Sequence, residues 1–278
     1  EEPTRCCIHL LVFPEDLQRA ADLVSCFRDE LEGVAVPPRV VLHRLGPMRM
    51  DITQLRVMKI RPELSSPTTY SRLYLPDYLP SVSRALWIDI DTIVQGDVAP
   101  LYRMPMRHVI AAASEGKFFH HLRKNAPNER LRRVVLQNLT PSSWFNPGVL
   151  LVDLRRWRSE GFSQTMESLI DATEGWMGDM MLLNLAFCGK FDLISNRWNY
   201  LCLATYVNHS VYEFMMRNAH ILHWTCSGYK PWKKDKPKNW GVNDHLFDVY
   251  SPRKRCAALD PDGAGSHSAA GERPPPPK

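Results

Sequence analysis

The chain switches repeatedly between a two-residue and a three-to-four-residue apolar period, and the order of the switches predicts an α/β domain. Cys7 to Phe13, CIHLLVF, is a short apolar run closed by Pro14 and reads as a buried strand. Leu17, Ala20, Val24, Phe27 and Leu31 then recur at helical spacing, with Glu15 and Asp16 in the first turn and Gly33 at the stop. Arg39 to His43 reads as a second strand, and strand–helix–strand predicts parallel pairing with ligands at the carboxyl ends of strands. Between Pro47 and Leu64 the pattern weakens to a short irregular element.

Tyr70, Leu73 and Tyr74 share helical spacing, and Arg72 falls on the opposite side of that turn. Ser83 to Gly96, SRALWIDIDTIVQG, is the most informative stretch. Read as one extended strand, it turns Asp89 and Asp91 to one face and Ile88 and Ile90 into the core. Two carboxylates within about 7 Å repel by roughly 2 kcal/mol at an effective dielectric near 20. A divalent cation with oxygen ligands relieves that repulsion, whereas a solvated acidic turn would need none.

Val98 to Tyr102 reads as a short turn or helix and His108 to Ala113 as a small-residue strand. His120 to Val135 reads as a basic surface excursion without a clean apolar stripe. Trp144 to Leu154 places a turn before four apolar residues, so Asn146 stands at the mouth of a buried strand, and a helix begins with the following DLRRWR. Asp179 occupies an N-cap position ahead of Leu182, Leu185 and Ala186, with Gly189 as the stop. Phe191 to Asn199 reads as a loop. Ala219 to Trp232 reads as a strand ending at His223, followed by Gly228 and Lys230. From Ser251 onward the composition of Pro, Gly, Ser and Ala predicts a disordered tail, leaving one domain over residues 5–250.

Composition narrows the function classes. With 278 residues and 44% hydrophobic content the chain can bury a substantial core. A net charge of +5 spread along the chain lacks the dense basic footprint of a nucleic-acid binder and suits acidic small ligands. Seven cysteines without a CxxC exclude a zinc ribbon or thioredoxin-like site and leave at least one thiol unpaired within the chain. Sequons at Asn138 and Asn208 permit a secretory location. No window of about 18 apolar residues occurs, so any membrane anchor is expected outside this chain.

Four blocks, YSRLYLPDYLP, LWIDIDTIVQGDVAPLY, WFNPGVLLVDLRRWR and HWTCSGYKPW, resemble in order and spacing the signature blocks of glycosyltransferase family eight. Within the family the chain resembles the galacturonosyltransferase-like and glycosyltransferase-eight-domain-containing proteins, over roughly Cys7 to Tyr250. The resemblance implies a GT-A fold, a mostly parallel Rossmann-like sheet flanked by helices, and retaining transfer of a sugar from a UDP-sugar to a glycan or other hydroxyl acceptor. It implies Mn²⁺, with Mg²⁺ as a substitute, held by Asp89, Asp91 and His223, with Ile90 between the carboxylates. It also implies phosphate contacts from Lys230 and the backbone near Gly228, a nucleotide-sugar contact from Arg72, a sugar pocket lined by Asn146, and Asp179 beside the transferred sugar. Val12, Phe13 and Asp16 fall at the loop that receives uridine. Golgi or secretory-pathway residence belongs to the same set of implications.

Two departures shape the expectation. One extra residue separates His223 from Lys230, which predicts a bulged phosphate turn, and Met180-Met181 stand where the family often has Gln-Asp. A UDP- or glycan-binding homologue without transfer activity is therefore the alternative. A nucleotidyltransferase is disfavoured because no Gly-rich phosphate loop follows the first strand.

Overall fold

The computed structural model describes residues 6–31, 33–52, 66–126, 128–203, 216–225, 230–232, 246 and 256. The chain divides into two compact units, residues 1–47 with 243–274, and residues 48–242 with 275–278. The irregular element expected before Leu64 lies largely outside the described residues, as do Gly228, Asn208 and the expected tail apart from Cys256.

In the first unit, strand β1 (Cys7–Val12) and strand β2 (Arg39–Arg44) pair in parallel, with Cys7 opposite Arg39 and Val12 opposite Arg44. The intervening helix Leu17–Glu30 starts after a single 3-10 turn at Pro14–Asp16, where proline's fixed φ suits the first helical position. The strand–helix–strand expectation is met in order and direction. Cys26 on this helix forms a disulfide with Cys256, which is buried to 1% exposure within the stretch expected to be tail.

In the second unit a four-stranded sheet runs in the order β3 (Arg84–Ile88), β6 (Phe145–Asp153), β5 (Ile110–Ser114), β7 (Asp192–Ile194). β5 and β7 are parallel, whereas β6 runs antiparallel to both β3 and β5, so this sheet is mixed. Alternation explains its packing. Leu150 and Val152 of β6, with Ile110 and Ala112 of β5, enter one core with Trp157, Phe187 and Tyr70. Val149 and Leu151, with Ala111 and Ala113, enter the other with Leu101 and Ile221. A strand apolar on both faces reads as a continuous hydrophobic run, and eight of the nine residues of β6 are buried.

A separate two-stranded sheet carries the longest-range consequence. β4 (Thr92–Val94) pairs antiparallel with β8 (Ile221–His223), placing Thr92 opposite His223.

Several expectations need correction. Asp89 to Asp91 is not the continuation of a strand but the turn between β3 and β4, and Ile90 is 89% exposed instead of core. The turn lifts Ile90 outward while leaving both carboxylates inward. His120 to Val135, expected as a basic surface excursion, falls in two helices, Gly116–Asn125 and Glu129–Asn138, whose described charged residues are exposed while Phe119 and Leu131 are buried. The helix after β6 breaks into Leu154–Ser159 and Phe162–Thr173 at Gly161, whose φ of 69° glycine adopts without Cβ strain. Phe191 to Asn199 contains β7 and a 3-10 turn.

Candidate functional site

The site gathers where β3 ends, and backbone register brings its parts together. The Asp89 N–H donates to the Gly148 carbonyl of β6 at 2.8 Å, and the Trp224 N–H donates to the Asp91 carbonyl at 2.9 Å. These bonds fasten the Asp89–Asp91 turn to β6 on one side and to the end of β8 on the other. His223, more than a hundred residues away in sequence, thereby arrives beside both carboxylates. Its Nε2 lies 3.2 Å from Asp91 Oδ1 and 3.8 Å from Asp89 Oδ2. One ligand atom from each of Asp89, Asp91 and His223 falls within 4.8 Å of the others.

Positive charge flanks this trio. Lys230 pairs with Asp91 Oδ2 and also donates to the Trp224 carbonyl at 2.9 Å. Burial alone would raise the Asp91 carboxyl's pKa, but the hydrogen bond and charge of His223, with Lys230 behind them, hold it well below the usual carboxylate range. Asp91 is therefore an anion at any neutral pH. Asp89 is held differently: Trp87 Nε1 donates to its Oδ1 at 2.6 Å, and Arg72 Nη2 lies 3.1 Å from the same oxygen.

Arg72 is buried to 8% exposure, against the expectation of the outer side of its turn. Ser71–Tyr74 is a 3-10 turn whose four residues are all buried, so helical-wheel alternation does not apply to it. The guanidinium donates to the Pro147 carbonyl, sits 5.0 Å over the Trp87 ring and ion-pairs with Asp179 as well as Asp89. Burial opposes its charge, yet Asp179 and Asp89 together raise its pKa. Asp179 is the first residue of helix Asp179–Phe187, with Gly178 as N-cap, one position on from the expected cap. Burial pushes its carboxyl up to about 6, Arg72 pulling the other way. The Arg72 Nε to Asp179 Oδ2 ion pair is misaligned, and neither atom has a hydrogen bond among the described residues. Fully buried Tyr70, whose hydroxyl also lacks a hydrogen-bond partner among the described residues, stands in the field of Asp179, and its pKa is raised by burial and by that charge.

Behind His223 runs a neutral polar chain. His223 Nδ1 is 2.9 Å from Asn199 Oδ1, Asn199 Nδ2 donates to Asn146 Oδ1 at 3.0 Å, and Asn146 Nδ2 donates to Glu115 Oε2 at 3.2 Å. The Gly148 N–H also donates to Asn146 Oδ1, at 2.9 Å. Asn146 and Asn199 are each 1% exposed and His223 2%. Burial lifts the Glu115 carboxyl to about 7, against the pull of Asn146 and His223.

The structure thus brings Arg72, Asp89, Asp91, Asn146, Asp179, His223 and Lys230 into one connected network. Val12, Phe13 and Asp16 belong to the first unit, the former two half-buried and Asp16 exposed. Glu115, Asn199 and Trp87 were not named as site residues in the sequence, and Tyr70 only as an apolar position at helical spacing. Met181 is fully buried in a cluster with Trp144 and Leu185, and Met180 packs against it, so both methionines are explained by packing. The donor set suits a divalent cation: three carboxylates (Asp89, Asp91, Asp179) face Arg72 and Lys230, and Asp89, Asp91 and His223 offer two oxygens and one imidazole nitrogen.

Comparison with known proteins gives the lineage of this arrangement. The sequence model of glycosyl transferase family 8 matches residues 21–236. Among curated proteins, probable galacturonosyltransferase-like 4 of Arabidopsis thaliana is 29% identical over 204 residues, covering 69% of this chain and 56% of its own length. Glycosyltransferase 8 domain-containing protein 1 of Rattus norvegicus is 27% identical over 212 residues, covering 66% and 56%. The chain spans just over half the length of these relatives. Among solved structures, the galactosyltransferase LgtC in complex with donor and acceptor sugar analogues aligns over 91% of this chain and 99% of its own, at 18% identity and a TM-score of 0.56. The WbbM bifunctional glycosyltransferase aligns over 94% of this chain and 52% of its own, at 14% identity and a TM-score of 0.60. These likenesses give the fold, an α/β GT-A fold. With more than half of its length matched by the family model, the chain belongs to glycosyl transferase family 8.

Proposed function

We propose that residues 5–250 form a catalytic domain that moves a sugar from a UDP-sugar to a hydroxyl of a glycan or glycoconjugate acceptor, with retention at the anomeric carbon. The observation that carries this reading is the cluster of half-buried Asp89 with buried Asp91 and His223, with Lys230 on its rim. Asp89, Asp91 and His223 would hold Mn²⁺, or Mg²⁺ in its place. When bound, such an ion supplies Lewis-acid neutralisation of the charge that develops on a departing diphosphate.

The chain's own residues do the rest. Lys230 brings a second positive charge to the diphosphate oxygens, and the backbone near Gly228 serves as the phosphate turn. Arg72, fixed by the Pro147 carbonyl and by the face of Trp87, directs its charge toward the donor side of Asp89. Asn146 offers amide hydrogen-bonding to the donor sugar, and Asp179 stands as the carboxylate beside it. Burial of Asp179, Asn146 and His223 lowers the local dielectric, which strengthens each of these interactions relative to water. Val12, Phe13 and Asp16 are assigned to uridine. Golgi or secretory-pathway residence is supported by the Cys26–Cys256 disulfide, since such bonds persist in oxidising compartments. No helix among the described residues is long and apolar enough to cross a membrane.

The test is calorimetric titration of UDP with and without Mn²⁺. Asp91→Ala abolishes the Mn²⁺-dependent component, and undiminished binding overturns the metal assignment. A panel of UDP-sugars assayed for UDP release with Mn²⁺ then separates transfer from binding alone: tight UDP binding without turnover of any donor favours the binding-only homologue.

A further inference from the structure

The polar chain behind His223 determines which imidazole nitrogen carries a proton. The Gly148 backbone N–H can only donate, so the Asn146 side-chain atom it meets at 2.9 Å is the amide oxygen. Asn199 approaches that same oxygen at 3.0 Å and must present its NH₂, since an oxygen there would face an oxygen. Its own oxygen is therefore turned to His223, 2.9 Å from Nδ1, and an amide oxygen can only accept. Nδ1 then carries hydrogen. The orientation of both amides is fixed by one backbone donor, without freedom to flip.

Nε2 is left facing Asp91 Oδ1 at 3.2 Å and Asp89 Oδ2 at 3.8 Å. We propose that Asn199 is a positioning residue that keeps a hydrogen on His223 Nδ1 and turns Nε2 to the two aspartates. The carboxyl end of the relay, Glu115, accepts from Asn146 and closes the chain. Packing reinforces the hydrogen bonds. A Cβ built on Gly148 would collide with His223 Cε1, so the ring rests flush on the β6 backbone and cannot rotate toward it. The consequence for cation binding rests on the metal reading above, whereas the tautomer itself does not. Hydrogen-bonding the remote nitrogen of a ligating histidine fixes ring orientation and raises its basicity, and loss of such a partner costs 10–100-fold in metal affinity.

Two measurements on the full chain test this. The first is two-bond ¹⁵N–¹H correlation on protein labelled at its histidine nitrogens, treated with chelator and held at alkaline pH, with the His223 signals assigned by difference against His223→Gln. The expected pattern has Nδ1 protonated, alone or together with Nε2; a neutral Nε2–H imidazole overturns the proposal. The second is Mn²⁺ affinity from the electron paramagnetic resonance signal of free Mn²⁺. Asn199→Ala is expected to weaken affinity 10–100-fold. Asn199→Ala binding Mn²⁺ as the unaltered chain does, with the same melting temperature, overturns the proposal. If the unaltered chain binds no Mn²⁺ the metal reading falls, and the nitrogen spectrum decides the role of Asn199 by itself.

Discussion

Asp89 is gripped by ions, His223 by amides, and the two sides of one site handle buried polarity in opposite ways. On the ionic side Arg72 sits between Asp89 and Asp179, yet its Nε and Asp179 Oδ2 have no hydrogen bonds among the described residues. On the amide side each donor from Gly148 through Asn146 and Asn199 meets an acceptor at 2.9–3.2 Å. A satisfied neutral network has one low-energy arrangement, whereas an ionic cluster with misaligned partners can exchange them. In the proposed reaction the charged donor diphosphate would be accommodated by the side that can re-pair, and His223, the proposed metal ligand, is built into the other.

The largest effect expected from breaking this contrast is on the ionic side. Arg72→Met removes the cation from between half-buried Asp89 and buried Asp179, and breaking a buried pair from one end costs about 3–5 kcal/mol. Chemical denaturation at neutral pH measures it. The loss shrinks in acid, because Asp179, whose carboxyl already sits at about 6, takes up a proton when the guanidinium is gone. A loss below about 1 kcal/mol, the value of an exposed pair, would show that water already screens these charges.

Gly148→Ala probes the amide side with a smaller expected cost. The added methyl runs into His223 Cε1 and comes within 2.7 Å of Nδ1, so the imidazole must leave Asn199. Overpacking of this kind costs about 1–3 kcal/mol, read as a lowered melting temperature, and Mn²⁺-dependent UDP binding weakens in parallel. Normal melting with normal binding would mean that the ring has a second seat, and the rigid half would no longer be rigid.

How far the sequence reveals these halves follows from the range of the interactions. The opening strand, helix and strand were legible because each depends on local periodicity and a local stop, and β1 pairs with β2 in the direction expected. Asp89, Asp91 and His223 were legible as a set through block order, while their meeting depends on the β4–β8 register, which no local pattern encodes. Arg72 was misplaced because a 3-10 turn buries all its faces, and Ile90 because a short turn interrupts an apolar run that reads as one strand. Glu115 and Asn199 stayed hidden for a different reason. A buried carboxyl or amide is recognisable only through its partners, and theirs lie 31 and 53 residues away in sequence. The disulfide was equally illegible: Cys26 and Cys256 are 230 residues apart.

Glu115 offers the smallest and sharpest test, because it asks whether the amide half is neutral to its very end. Its carboxyl is raised from an ordinary 4.5 to about 7, chiefly by burial. The folded chain therefore keeps a proton there that the unfolded chain has already released over that interval. Stability from this group is fully present below about 4.5 and is lost as pH rises through about 7, since stability falls with pH wherever the folded state binds the extra proton. Asp179 contributes with the same sign but over a lower window, ending near 6. The difference between the unaltered chain and Glu115→Gln isolates the upper window. Melting temperatures measured across it should decline more steeply for the unaltered chain, while the amide oxygen introduced by the substitution can still accept from Asn146. Parallel curves would mean that Glu115 is already ionised at neutral pH, that a fixed negative charge terminates the relay, and that His223 is held by an anion acting through two amides instead of by amides alone.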